Sequence, residues 1–408
     1  FMEAAKLRAA RRLWAKIAEA CGALHDDQTA PIHAVASPRC LSRRDSWVNS
    51  LRTTVGAFAA TVGGADHLTV LPFDAAIGLS DELARRMATN SQTILREESH
   101  LGRVIDPGGG SWYLEALTDE LSRAAWARFQ EIEANGGMRA ALVEGRIEKT
   151  LDAALTNRER ALATRKDPVT GVSTFPDLSE EPLRRDRTGA HDPEAPAAAV
   201  AIEELTRLLK AAASPAGDGA VIDTAIDAAA AGATISQLST ALRGTRNREL
   251  MKPLPSRRES DLFESLRDTS DTWLAATGSR PRIFLANMGP VPEHKPRATF
   301  AAGFFEAGGI EVLSNDGFEN ATEAAAAFAR SDTRMAVICS TDARYPELVP
   351  ELAAALESCG ARTVLLAGKP REYEQAWREA GVAGFIYQGC DQHQLLVDLL
   401  KEEGVLHV

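Results

Sequence analysis

At 408 residues the chain is long enough for about two to three domains of the usual size, around 150 residues each. Hydrophobic residues at 45% and charged residues at 25% exclude a disordered chain, and no stretch nears the ~18 uninterrupted apolar residues of a membrane helix. Acids exceed bases by 57 to 46, and the net charge of −11 argues against nucleic acid as a partner.

Five cysteines, Cys21, Cys40, Cys339, Cys359 and Cys390, form an odd set without a CxxC pair or a histidine at metal-ligand spacing. That excludes a disulfide scaffold and a zinc site, and leaves buried or half-buried thiols in a reducing cytoplasm. The chain opens as a helix running from Phe1 through Trp14 and Ile17, with Arg8, Arg11, Arg12 and Lys16 at helical spacing, a pattern unlike a signal peptide. A short apolar run over 31–36, an amphipathic stretch over 45–62, a second run over 67–71 and a helix over 80–98 follow. This is the βα rhythm of a parallel sheet or barrel. Ser80-Asp81-Glu82 supplies a cap and an acidic first turn. After a tight loop over 106–113 comes a helix over 118–135, stopped by Gly136-Gly137.

From about 147 to 279 the order loosens. Residues 164–196 carry Pro168, Gly171, Pro176, Pro182, Pro193 and Pro196 among charges, a linker composition, and alanine-rich helices are expected over 199–213 and 223–242. The block from 281 to 408 is the clearest. Strands over 282–288, 308–313, 335–340, 363–368 and 384–387 alternate with helices over 296–307, 321–330, 347–359 and 372–380, before a terminal helix. Five such units make a doubly wound, flavodoxin-like sheet, whose ligand would lie outside the carboxyl ends of the strands.

Several motifs within 73–138 carry a family likeness: Asp74-Ala75-Ala76, Arg85-x-x-x-x-Asn90-x-Gln92, Glu98-Ser99, Asp106-Pro107-x-x-Gly110-Ser111-x-Tyr113-x-Glu115-x-Leu117-Thr118, Ala125-Trp126 and Ile132-Glu133-x-x-Gly136-Gly137-Met138. With them the chain resembles the methylmalonyl-CoA mutase family, in the region where the substrate barrel ends. Its opening helix looks like a late-barrel helix, and 281–408 like the cobalamin-binding domain. The resemblance implies an α/β fold in three parts. These are the C-terminal part of a (β/α)₈ TIM-type barrel over 1–146, a helical and Pro-rich linker over 147–279, and a flavodoxin-like, degenerate cobalamin-binding domain over 280–408.

Members of that family hold adenosylcobalamin between the two domains and interconvert methylmalonyl-CoA and succinyl-CoA by a radical route. Their cobalamin domain carries Asp-x-His-x-x-Gly after its first strand, the histidine lying below cobalt, the aspartate orienting it and the glycine allowing close approach of the corrin. Counted from Met288-Gly289, those positions hold Val291, Glu293 and Pro296 here. His294 falls one residue late and is expected on the surface of a Pro-rich loop. Asp74-Ala75-Ala76 stands where cofactor-binding members have Asp-Glu-Ala, and Ala367-Gly368 where they have a glycine pair. These losses resemble the small subunit of heterodimeric mutases. The reading assigns no catalytic, cofactor or metal residue to this chain. It expects a catalytic large subunit in the cytoplasm to hold adenosylcobalamin and the acyl-CoA, paired with this chain in a pseudo-twofold heterodimer. The alternatives are a self-sufficient mutase that uses His294 as an altered axial ligand, and an interaction module without a partner.

Gly108-Gly109-Gly110-Ser111 lacks the lysine of a phosphate loop and reads as a turn, and His33, His67 and His100 have no nucleophile partner. Arg39, Arg43 and Arg44 read as solvated residues at a helix start, or else as contacts to CoA phosphates. Trp112-Tyr113 and Phe304-Phe305 are expected as core or interface anchors. A whole barrel takes ~250 residues, so about three of its eight βα units fit before the linker. The expectation is a part of a longer subunit, with open barrel edges that make it poorly soluble alone.

Overall fold

The computed structural model describes residues 1–24, 28–186, 205–208, 210, 220–243, 253–254 and 256–406. They divide into two compact units, the first made of 1–131, 148–185 and 255–408, the second of 132–147 and 186–254.

The first unit opens with α1 (Met2–Ala20), which buries Ala4, Ala5 and Ala9, and α2 (Val48–Val62), which buries Asn49, Thr53, Ala57 and Ala60. Spacings of one and four in α1, and of three and four in α2, put each set on one helical face, and the small side chains let the two helices pack closely. Between and after them run β1 (His33–Val35) and β2 (His67–Thr69), parallel and in register from His33 opposite His67. These are the only strands among the described residues before the linker. In α3 (Glu82–Thr93) the cap is Asp81, whose carboxylate accepts the Ala84 N–H at 2.8 Å. The helix over 80–98 therefore starts at Glu82 and ends in a π turn, Ile94–Glu98.

Sequence reasoning places the next helix six residues too late, because α4 (Trp112–Ala134) starts inside the glycine loop. Trp112 is consequently 91% exposed and no core residue, and Tyr113 meets Phe1 edge to face. The helix α5 (Gly137–Val143) belongs to the second unit, and α6 (Arg146–Ala163) brings the chain back to the first. In the second unit the expected helix over 223–242 is two, α7 (Ala220–Ala230) and α8 (Ile235–Arg243). The break carries a reciprocal cap, in which the Gln237 side chain accepts the Thr234 N–H at 2.8 Å and Thr234 Oγ1 accepts the Gln237 N–H at 3.3 Å. The expected helix over 199–213 falls mostly outside the described residues.

Five parallel strands form the main sheet: β3 (Arg282–Asn287), β4 (Glu311–Leu313), β5 (Met335–Cys339), β6 (Thr363–Ala367) and β7 (Val382–Ile386), in the order β4-β3-β5-β6-β7. Their near-continuous apolar runs suit strands buried on both faces. Ile283, Leu285, Val337, Leu365 and Ile386 point to one side, where α9 (Asp261–Thr277), α10 (Val291–Glu306), α14 (Gln392–Glu402) and the linker residues Leu162, Val169 and Val172 cover them. Phe284, Ala286, Ile338 and Leu366 point to the other, against α11 (Ala321–Phe328), α12 (Tyr345–Ser358) and α13 (Glu374–Glu379). Phe304 and Phe305 are fully buried, as expected, and Cys339 is a core thiol whose burial pushes its pKa well up. Cys21 and Cys359 are exposed, so the expectation of buried or half-buried thiols fails for those two. Both lie at helix C-caps, where the chain turns outward.

Candidate functional site: the carboxyl ends of the strands

In the main sheet the chain runs from β3 to β4 on one side and then to β5 on the other, so the order reverses between β3 and β5. A ligand of such a sheet would lie outside the carboxyl ends there. Those ends are joined by the chain's own side chains. Ser340 Oγ, just past β5, donates to the Met288 carbonyl past β3 at 3.0 Å. The Ser340 N–H donates to the Tyr345 hydroxyl at 3.0 Å, and that hydroxyl donates to the Ala367 carbonyl at the end of β6, at 2.7 Å. Tyr345 is 1% exposed, and burial pushes its phenol far above the usual range. Two ion pairs run from α10 to the turn that precedes α12, Arg344 to Glu293 at 3.0 Å and Arg297 to Asp342 at 2.8 Å.

The positions compared with the cobalamin motif lie in α10, which starts at Val291, five residues before the expected start at 296. Pro290 caps it and Pro292 sits in its first turn, where a missing N–H costs nothing; Pro296 is accommodated inside the helix. Only residues 288–290 lie between β3 and α10. Val291 is 51% exposed, and Glu293 is held by Arg344. His294 is not the expected surface residue. It is 2% exposed, with Nδ1 2.9 Å from the Gly289 carbonyl. Its ring lies against Gly317, where φ is +105° and an added Cβ would fall 2.6 Å from His294 Cε1. The residues present do not fit a corrin. The imidazole is turned inward, the position counted for its orienting carboxylate is valine, and the glycine position is a helical proline.

The carboxyl ends of β1 and β2 are built from polar side chains as well. Asn49, fully buried at the start of α2, donates to the carbonyls of Ser42 and Phe73 and accepts from the Ser42 N–H at 2.9 Å. Asp74 is fully buried and accepts from Arg185 Nε at 2.6 Å. Arg43 and Arg44, expected to be solvated or to meet CoA phosphates, instead face the acidic edge of α9. Glu264 accepts the Arg43 N–H at 2.6 Å and Arg43 Nε at 3.1 Å, while Arg44 reaches Asp268 at 2.7 Å and Asp271 at 2.5 Å. Burial pulls the Arg44 guanidinium down, but these carboxylates more than offset it and leave its pKa raised.

Glu264, Tyr345 and Arg185 escape sequence reasoning. Glu264, Asp268 and Asp271 recur at helical spacing, so an acidic stripe was visible, but its partners lie more than two hundred residues away. At the amino end of β2 a cavity of about 650 Å³ is lined by Arg8, Arg11, Asp66, Asp106 and Glu115, which already pair with one another. Among the described residues no group of three or more His, Cys, Asp or Glu could hold a metal, and no helix is long and apolar enough to cross a membrane.

The family model described as methylmalonyl-CoA mutase matches residues 1–248. The methylmalonyl-CoA mutase small subunit of Streptomyces virginiae is 42% identical over 99% of this chain and 55% of its own length. The corresponding small subunit of Propionibacterium freudenreichii subsp. shermanii is 32% identical over 99% of this chain and 54% of its own. The methylmalonyl-CoA mutase of Cereibacter sphaeroides is 30% identical over 98% of this chain and 60% of its own. The chain thus spans about half the length of the curated relatives it matches.

Proposed function

The chain belongs to the methylmalonyl-CoA mutase family, and on that premise we propose that it works as a non-catalytic small subunit. On this reading it pairs with a catalytic large subunit that holds adenosylcobalamin and interconverts methylmalonyl-CoA and succinyl-CoA. Residues 1–146 belong to the acyl-CoA barrel, 147–279 to the connector, and 280–408 to a flavodoxin-like domain that has kept its sheet and lost its ligand.

One observation carries the reading. The segment that would present an axial histidine is the first turn of α10, and His294 within it is buried and bonded to the Gly289 carbonyl. Freeing that imidazole would require unwinding the turn and breaking the Arg344–Glu293 pair. Titration of the purified protein with adenosylcobalamin tests the proposal. The expected spectrum is that of free cofactor, with isomerase activity appearing only when a large subunit with an intact Asp-x-His-x-x-Gly motif is added. A base-off, histidine-on spectrum that vanishes in His294→Ala would overturn it.

A further inference from the structure

The segment 169–185, which follows α6 and closes the 148–185 stretch of the first unit, forms no helix or named strand, yet it is tied down along its length. The Thr170 carbonyl accepts from Arg52 at 2.5 Å, the Asp177 carbonyl from Arg267 at 2.6 Å, and Glu180 Oε1 from the Asp45 N–H at 2.6 Å. At Gly171, where φ is +79°, an added Cβ would fall 2.6 Å from Asp45, so the backbone itself rests on the residues that follow β1. At the far end Arg185 places Nε 2.6 Å from Asp74 and Nη2 2.6 Å from Asp81. Asp45 follows β1, and Asp74 and Asp81 follow β2. The segment therefore crosses the carboxyl ends of both strands, the end at which barrel-type sheets take their ligands.

We propose that 169–185 is an intrachain strap that closes this end, and that Asp74 and Asp81 form a guanidinium slot filled in cis by Arg185. Asp74 shows why the slot needs its occupant. Its carboxylate is 0% exposed, its Oδ1 has no partner, and apart from Arg185 its Oδ2 has only a long 3.4 Å contact from the Asp81 N–H. Without the guanidinium a buried charge stands unpaired, and the loop must open to water. Arg185 itself is 14% exposed at its side chain, with its charge divided between two carboxylates that Lys could not bridge in the same plane. The strap shuts out an acyl thioester from this side of the chain. Only the identity of that excluded ligand rests on the proposed mutase role.

Amide hydrogen exchange on the purified protein tests the strap independently of any isomerase activity. Arg185→Ala is expected to speed exchange at residues 42–46 and 74–81 by about tenfold or more, while β5 and β6 keep wild-type protection. Millimolar guanidinium, well below denaturing levels, is expected to restore protection in that variant and to leave the wild type unchanged. Arg185→Lys and Asp81→Asn, which keep one arm of the contact, carry the same test if the alanine variant does not fold. Unchanged exchange at both segments in a folded variant, or no recovery with guanidinium, would overturn the strap. Tight binding of an acyl-CoA at 42–46 or 74–81 in the wild type would overturn the exclusion but not the slot.

Discussion

Glu264→Ala tests whether the loop after β1 is fixed by α9. The Glu264 side chain is 0% exposed and accepts the Arg43 N–H at 2.6 Å, the Arg44 N–H at 3.2 Å and Arg43 Nε at 3.1 Å, with Arg258 Nη2 at 2.8 Å. Truncating one partner of a buried ion pair costs about 3–5 kcal/mol. Arg43 and Arg258 keep 34% and 18% of their side-chain surface and can turn toward water, so the lower bound, about 3 kcal/mol, applies. Glu264→Gln keeps one acceptor for the backbone N–H groups and loses the charge, for a cost of about 1.5 kcal/mol. Urea unfolding followed by circular dichroism reads both values. A double-mutant cycle with Arg43→Ala is expected to give a coupling of about 1–2 kcal/mol. Variants within about 0.5 kcal/mol of wild type, or a coupling near zero, would show that the contacts do not hold the loop.

Two further perturbations follow from the sheet. Tyr345→Phe leaves the ring in place but strands the Ser340 N–H and deprives the Ala367 carbonyl of its donor, both buried, at a cost of about 1–3 kcal/mol in urea unfolding. A neutral effect would mean that water reaches the carboxyl ends of β5 and β6. Glu306, half-buried at the end of α10, has its carboxyl pKa raised from 4.5 by burial and by Asp177, with Arg267 opposing. A group whose folded pKa is raised binds its proton more tightly when folded, so its charged form destabilises the fold as pH rises through and above that value. Glu306→Gln is therefore expected to be more stable than wild type at pH 7–8, with the advantage shrinking as pH falls toward 4.5. A constant difference across that range, measured by urea unfolding at several pH values, would contradict it.

The main sheet was legible because its strands are buried on both faces. Runs such as Ile283-Phe284-Leu285-Ala286 and Met335-Ala336-Val337-Ile338 leave no polar face to confuse the period, and all five strands and the helices between them occur in the expected order, though β4 is shorter than expected and α10 starts earlier. Helix starts were less legible. Pro292 and Pro296 suggest a loop, yet one sits in the first turn, where no N–H is needed, and the other is carried inside the helix. Glycines before Trp112 hide the start of α4 in the same way. The ion pairs were not legible at all. Arg185 and Asp74 are separated by 111 residues and Arg43 and Glu264 by 221, and no periodicity encodes a contact made only once the chain has folded.

The two carboxyl ends differ in how completely they are satisfied. At the main sheet Ser340, Tyr345, His294, Glu293 and Arg344 all find partners, and Asn287 Oδ1 at the end of β3 is buried without one. Along the strap and its junction with α9 more such atoms are left. Asp74 Oδ1, Glu180 Oε2, and Arg267 Nε and Nη1 are buried without hydrogen bonds. Burial pushes the Glu180 carboxyl up and pulls the Arg267 guanidinium down. A buried polar atom left unpaired costs about 1–3 kcal/mol, so the strap is held with less net stability than its contacts imply. Local opening draws on regions of that kind before it reaches a core sheet. If either of these carboxyl ends yields to a ligand or a partner, the physical expectation is that it is the strap over β1 and β2 before the ends of β3 and β5.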